Sequence, residues 1–455
     1  MKPTLTLLHR LALLGCSMLV GLNLLPGGLA VILTAAVVGL VTLRLGLART
    51  LVAIALLGLP FLNAAASLIG STPTVLVMGL DVVLLVLVMA ASPALLSLSS
   101  YRGVRRFLVW WILFLLVYSA FSFTAELSDY SIFTWQYLAV YGSYYALAGV
   151  LAVRNEVSAA ETMAVGLPLF ACNYDLLDAS VTSISTIADA TIGLRGSDAF
   201  DPIVGARAAG LLLLMALAVI LSSRRKRRWV PEIVMAIALA APLVWYAYTR
   251  QVYVAAVLVA VLMVAVMVFR RRARGESLGR QLVLIGVVCL LGAAAAWHIF
   301  DFLETNSASR IAQYGLQSDS RTALWMTSLH LIADNPIAGI GVGEFQRRGF
   351  GLWPHNWIIE AWLGLGLPGL ILTAVGAGVV LLALLSRSEA WLGGWLFLAL
   401  YYLLVAQVSA DIARNAPLFF FIVLAFHAIA SSGHRLRLEA HRMRLPNVGR
   451  IGSYT

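Results

Sequence analysis

Long apolar runs separated by short polar breaks make up most of this chain. Successive runs lie near 7–24, 28–43, 51–69, 74–98, 107–121, 133–152, 162–177, 207–222, 230–247, 251–269, 281–299, 357–385, 391–408 and 417–430. Each comes close to the roughly 17–25 apolar residues that carry a helix across a bilayer core. The pattern predicts about fourteen spans, with a margin of roughly two, and so an all-α polytopic membrane protein of about 12–14 transmembrane helices. Composition agrees, because 61% of the 455 residues are hydrophobic and 12% charged, with a mean hydropathy of +0.91. A soluble domain cannot hide that much apolar surface. The first run follows only Lys2, His9 and Arg10 and leads into another, so it reads as a retained span and not a cleaved leader.

Charge then orients the spans. The net charge of +11 comes from short basic runs between apolar windows, the placement of a topology signal and not of a nucleic-acid surface. Arg44 and Arg49, Arg102 to Arg106, Arg154, Arg224 to Arg228, Arg270 to Arg274, Arg387 and the tail from Arg435 to Arg450 fall on one side of the alternation. That side is expected to be the cytoplasm, with both termini on it. The basic tail would anchor to anionic lipid. Arg195, Arg207, Arg250, Arg310, Arg321, Arg347, Arg348 and Arg414 are left on the other face. Loop solvation or snorkelling at a span end explains any one of them alone. Arg250 stands out because it closes the short turn Tyr248-Thr249-Arg250-Gln251 between two spans, where a fixed guanidinium can hold an anionic headgroup.

Two loops on that second face exceed a simple connection. The one near 178–206 is rich in Ser, Thr, Ala and Asp and reads as a flexible loop that Arg195 and Arg207 can turn into a lining. The other, 300–354, is the largest polar excursion in the chain, and loops of that length in compact proteins usually carry function. Inside it Leu324, Trp325, Ser328, Leu331 and Ile332 repeat at helical spacing, followed by Asn335-Pro336 and then Gly339, Gly341 and Gly343. This predicts a half-buried amphipathic helix over 321–333 and a Gly-rich turn, the helix lying at the membrane surface. The chain is thus organised as helices with short loops over 1–299, a large helical loop over 300–356, further spans over 357–432 and a basic tail over 433–455.

Ser320-Arg321 with Trp325, Asp334-Asn335-Pro336 with Gly339, Gly341, Gly343 and Phe345, then His355-Asn356 and Gly364, Gly366 and Gly369 resemble the O-antigen ligase/polymerase superfamily of bacterial envelope glycosyltransferases. The resemblance covers about the C-terminal half and is most like the O-antigen ligase. It reaches upstream to Thr249-Arg250, where the family often has Ser-Arg, and downstream to Asp411 and Arg414. Glu360 stands where apolar residues or Gln are common. The resemblance implies a multi-pass protein of the bacterial inner membrane with its active site in a periplasmic loop. The implied reaction moves a glycan from undecaprenyl diphosphate to a hydroxyl of a lipid A-core sugar or another acceptor, inverting and without metal or other cofactor.

Elementary chemistry supports residues of these types. Breaking the glycosidic C–O bond concentrates negative charge on the diphosphate, which arginines at the membrane surface stabilise by roughly a few kcal/mol each. Arg250, Arg310 and Arg321 are the candidates, with Arg195, Arg207, Arg414 and Asn356 as further substrate contacts. The attacking hydroxyl must lose a proton, and His355, with an ordinary histidine pKa of roughly 6.5, is suited to take it. Asp411 would orient the imidazole or hold acceptor sugar, as the resemblance suggests. A polymerase of lipid-linked repeats or a protein glycosylating transferase of the same superfamily remains open. So does a secondary transporter, although intramembrane charge is confined to residues such as Asp81 and Asp175, which suit interhelical hydrogen bonds.

The remaining special residues read more plainly. Cys16, Cys172 and Cys289 sit in apolar windows without metal-ligand spacing and are expected to pack. His298 and His330 suit surface or interfacial positions. Trp110, Trp111, Trp135, Tyr137, Tyr141, Tyr144 and Tyr145 fall near predicted span ends, which assigns them to an interfacial aromatic belt.

Overall fold

The computed structural model describes residues 46–58, 101–124, 129–172, 202–222, 226–246, 250–272, 320–350, 353–386, 392–408 and 415–444, with a few isolated positions such as Ile412. Among these there are helices and no strands. They are α1 (Leu47–Ala53), α2 (Arg102–Thr124), α3 (Asp129–Tyr137), α4 (Ser143–Arg154), α5 (Ala159–Cys172), α6 (Pro202–Ser222), α7 (Val230–Tyr246), α8 (Arg250–Arg272), α9 (Ser320–Asp334), α10 (Glu344–Arg347), α11 (Trp357–Leu385), α12 (Gly393–Ala406) and α13 (Pro417–Arg444). A π-helical stretch, Leu138–Gly142, joins α3 to α4 into one continuous path. The all-α membrane architecture read from the apolar runs is therefore the observed one. Arg102–Ser122, Gln251–Arg270 and Trp357–Leu385 are long and apolar enough to cross a membrane, and further apolar helices are shorter.

Burial separates central from peripheral helices. Every residue from Leu418 to Ala425 of α13 is buried, as expected of a helix that is apolar all round and surrounded by others. It packs on α2, α4, α11 and α12. At the rim, α2 turns Phe107, Trp110, Trp111 and Phe114 inward while Val109, Ile112, Leu113 and Leu116 stay exposed. Such an apolar outer face is unfavourable in water and natural against acyl chains.

The aromatic-belt expectation fails for the central residues. Trp110, Trp111, Tyr141, Tyr144 and Tyr145 are buried in the bundle core, and the Trp111 ring lies 4.3 Å from that of Phe419. Their polar atoms find partners inside: Trp110 Nε1 donates to the Leu372 carbonyl at 3.0 Å and the Tyr144 hydroxyl to the Leu51 carbonyl at 3.3 Å. An indole or phenol satisfied by a helix carbonyl no longer needs the headgroup layer.

Two ends of the bundle differ in what they gather. At one, Arg49 pairs with Glu161 at 3.2 Å, and Trp395 at the start of α12 donates to the Val157 carbonyl at 2.8 Å. At the other, where α12 ends, the Gln407 carbonyl accepts from Asn356 at 2.9 Å. Between the two, the Tyr401 hydroxyl donates to the Arg207 carbonyl of α6 at 3.1 Å.

Candidate active site

The site end is built on a broken helix. Within α11 Gly366 has φ 63° and ψ −154°, a region open essentially to glycine alone, and Pro368 two residues on cannot supply an amide hydrogen. The break strips the Leu363 carbonyl and the Leu367 N–H of helical partners, and the Gly-rich loop supplies replacements. Ile340 N–H donates to the Leu363 carbonyl at 2.7 Å, and Leu367 N–H donates to the Ile337 carbonyl at 3.0 Å. The fit is backbone against backbone: a Cβ on Gly366 would stand 2.0 Å from the Ile337 oxygen, and one on Gly339 2.5 Å from the Gly366 nitrogen. Trp362 Nε1 adds a bond to the Pro336 carbonyl at 3.0 Å. The glycines of both motifs therefore dock a loop into a helix kink.

The amphipathic helix appears as α9, Ser320–Asp334, one residue longer at each end than the sequence predicts. Ser328 and Ile332 are buried as the spacing requires, and His330 is exposed. Its apolar face packs on α11, where Ile332 joins Phe345 and Leu363 in a small cluster. The buried stripe is thus spent on protein contact. Trp325 projects further, and its Nε1 donates to the Pro354 carbonyl at 2.8 Å, fixing the residue that precedes His355.

His355 sits at the point where the chain enters α11, with φ 57°. A left-handed backbone on a residue other than glycine costs about 1–3 kcal/mol and persists only where its surroundings enforce it. Here they do so on both sides. Behind it stands the Trp325–Pro354 bond. Ahead of it, Asn356 Oδ1 accepts from the N–H groups of Ile358 and Ile359 at 3.0 and 2.9 Å, capping α11, while Asn356 Nδ2 holds α12 through Gln407. The imidazole is held as well: Trp353 Nε1 donates to His355 Nδ1 at 2.9 Å, the rings 5.4 Å apart and edge to face. The indole N–H makes Nδ1 the accepting nitrogen of this bond.

A small cleft with about 30 Å³ of free volume is lined by Tyr118, Phe345, Trp353, Pro354, Glu360 and Ile412 among others. Glu360 is the carboxylate in its wall, and Oε2 accepts the Ile412 N–H at 3.1 Å. That bond ties the segment following α12 to the first turn of α11. A second acid, Glu344, is nearly buried in α10 and gripped by Arg347 through two bonds of 2.6 and 2.8 Å, with Arg348 at 3.4 Å. Hydrogen bonds from Arg347 hold its carboxyl below the usual range, against desolvation, with Arg348 adding to them. Two of the cations expected on this face thus serve an ion-pair knot at the loop.

The sequence-derived site divides in four. His355 and Asn356 are adjacent and both anchored. Arg250 and Arg321 occupy the first turns of α8 and α9, with their side chains outside the described residues. Arg207 is buried in α6 at 3% exposure, within electrostatic reach of Tyr401 and Tyr402. It sits inside the bundle and not on a loop. From Tyr401 to Gln407 is about 9 Å along α12 at 1.5 Å per residue, so Arg207 lies deeper than the Asn356 level. Arg195, Arg310, Asp411 and Arg414 lie outside the described residues, as do Asp81 and Asp175; the neighbour of Asp411, Ile412, is the residue held by Glu360. Sequence reasoning missed Trp353, Tyr118 and the structural bond of Glu360. For Trp353 the available signal was an indole two residues before the candidate base.

Residues 243–374 match a family model described as O-antigen ligase. The matched segment begins ahead of Arg250, takes in Arg321, the docked loop, His355, Asn356 and Glu360, and ends in α11 beyond the kink. The match supports membership of the O-antigen ligase superfamily and suggests an enzyme of membrane glycosyltransferase type. No curated protein matches the chain.

Proposed function

We propose that this member of the O-antigen ligase superfamily transfers a glycan from undecaprenyl diphosphate to a sugar hydroxyl of lipid A core, at a site on the outer face of the bacterial inner membrane. The observation that carries the reading is His355. Its Nδ1 accepts from Trp353, and its strained backbone is locked between the Trp325–Pro354 bond and the Asn356 cap. A histidine held in that way at a membrane boundary suits proton transfer from an acceptor brought to it.

The chemistry follows as one displacement. The acceptor oxygen attacks the anomeric carbon from the face opposite the diphosphate, its proton passes to the unprotonated imidazole nitrogen of His355, and the C–O bond to the diphosphate breaks. The anomeric configuration inverts. Arg250 and Arg321 stand in the first turns of α8 and α9, where helix N-termini favour an anion, and they neutralise the leaving diphosphate. Arg310, Arg414 and Arg195 supply further contacts to the anionic donor, and Asp411 orients the imidazole. Asn356 keeps the imidazole at its depth through the cap and the Gln407 bond.

The test is transfer by purified protein given undecaprenyl-diphosphate glycan with either lipid A core or a second lipid-linked repeat, in the presence of a chelator. Glycan on lipid A core is the expected product. Lengthened lipid-linked glycan would make the protein a polymerase of the same superfamily. Solute uptake without any glycan transfer would overturn the enzyme reading.

A further inference from the structure

The indole of Trp353 stands where the base needs its lone pair. A neutral imidazole has one acceptor nitrogen, and in His355 that nitrogen, Nδ1, takes the Trp353 N–H at 2.9 Å. The acceptor hydroxyl must give its proton to this same atom, and a proton cannot arrive where another donor already sits. Trp353 also lines the small cleft with Glu360 and Tyr118. Its neighbours are tied independently of it: Pro354 is held by Trp325 and Asn356 by the cap.

We propose that Trp353 is a positioning residue that occupies the acceptor's hydrogen-bond site on His355 in the empty enzyme and is displaced when the hydroxyl of an acceptor sugar reaches Nδ1. The N–H then marks where the acceptor O–H will sit, about 2.9 Å from Nδ1. While in place it also keeps the imidazole in the Nε2-protonated form, ready to receive a proton at Nδ1. The step balances: the acceptor proton goes to Nδ1 and gives an imidazolium, the oxygen forms the new glycosidic bond, and the diphosphate leaves with the electron pair of the old one.

This rests on His355 acting as base, and the experiment separates the two ideas. Trp353→Phe keeps an aromatic ring and removes only the competing donor. Its expected result is a fall in acceptor KM by about two- to ten-fold, the weight of one ordinary hydrogen bond, with donor KM and kcat held. A lower kcat at unchanged acceptor KM would instead make the indole a fixed orienting bond and overturn the proposal. The double variant Trp353→Phe/His355→Ala supplies the second readout. If Trp353 acts through His355, adding Trp353→Phe to His355→Ala leaves the residual transfer unchanged, and a further change defeats the proposal. Full activity of His355→Ala alone would remove the base assignment itself, whatever Trp353 does.

Discussion

The loop of residues 335–343 and the stretch from Trp353 to Glu360 both meet the first half of α11, and they meet it in different ways. The loop engages with its backbone: Ile337 and Ile340 complete the ladder broken at Gly366, and no side chain can be accommodated on Gly366 or Gly339. The second stretch engages with side chains, with Trp353 on His355, Asn356 on the helix end and Gln407, and Glu360 on Ile412. Both lie in one family-matched segment, yet one sets the shape of the site and the other holds the side chain proposed as its base. Motif residues in a polar loop therefore have two kinds of work, and only substitutions that keep one intact can separate them.

The sharpest separation is expected at His355. His355→Ala should lower transfer by about 10²–10⁴-fold, the usual weight of a general base, while thermal unfolding in detergent changes little. A comparable fall in melting temperature would move His355 to the shaping group. Gly366→Ala should show the reverse order of effects. Its Cβ meets the Ile337 oxygen and its φ and ψ suit glycine alone, so stability should drop by about 3–5 kcal/mol through strain and lost backbone bonds. Unchanged unfolding would mean that the loop does not need the kink.

Smaller effects test the joint between the two groups. Asn356→Ala removes a helix cap and the bond to Gln407, which should cost about 1–2 kcal/mol in unfolding and reduce kcat more than KM, because His355 loses its fixed neighbour. Glu344→Gln is the mildest. The carboxyl of Glu344 is held below its ordinary range, so its contribution to stability is present above the ordinary carboxylate pKa and is lost as pH falls through the lowered value. The glutamine variant should lack that acid-side loss and be less stable near neutrality by under about 1 kcal/mol, since Arg347 and Arg348 are half exposed. An unfolding profile across pH 2–6 in both proteins is the measurement.

Much of the architecture could be read directly because its cause is local. Apolar runs become helices, and the 357–385 run is α11 to the residue. The spacing of Ser328 and Ile332 named the buried face of α9. The docked glycines were recognised as a motif, but their use was not legible, since the partner of Gly366 is a carbonyl 29 residues earlier. Trp110 and Trp111 misled for a related reason: proximity to a span end suggested the interface, and only packing against Phe419 and the Leu372 carbonyl shows them inside. Arg207 likewise looked like a loop cation and lies in the bundle.

By itself the sequence determined that this is a helical membrane protein, which of its runs are helices and which segment carries the likeness to a ligase. Hydrophobic periodicity and composition are properties of single segments, so they survive without knowledge of neighbours. The tertiary structure alone decided what bonds Nδ1 of His355, what fills the kink of α11 and what Glu360 binds. Each depends on a donor and an acceptor brought within about 3 Å from separate parts of the fold or around a strained turn, and such distances are set by packing and not by order along the chain.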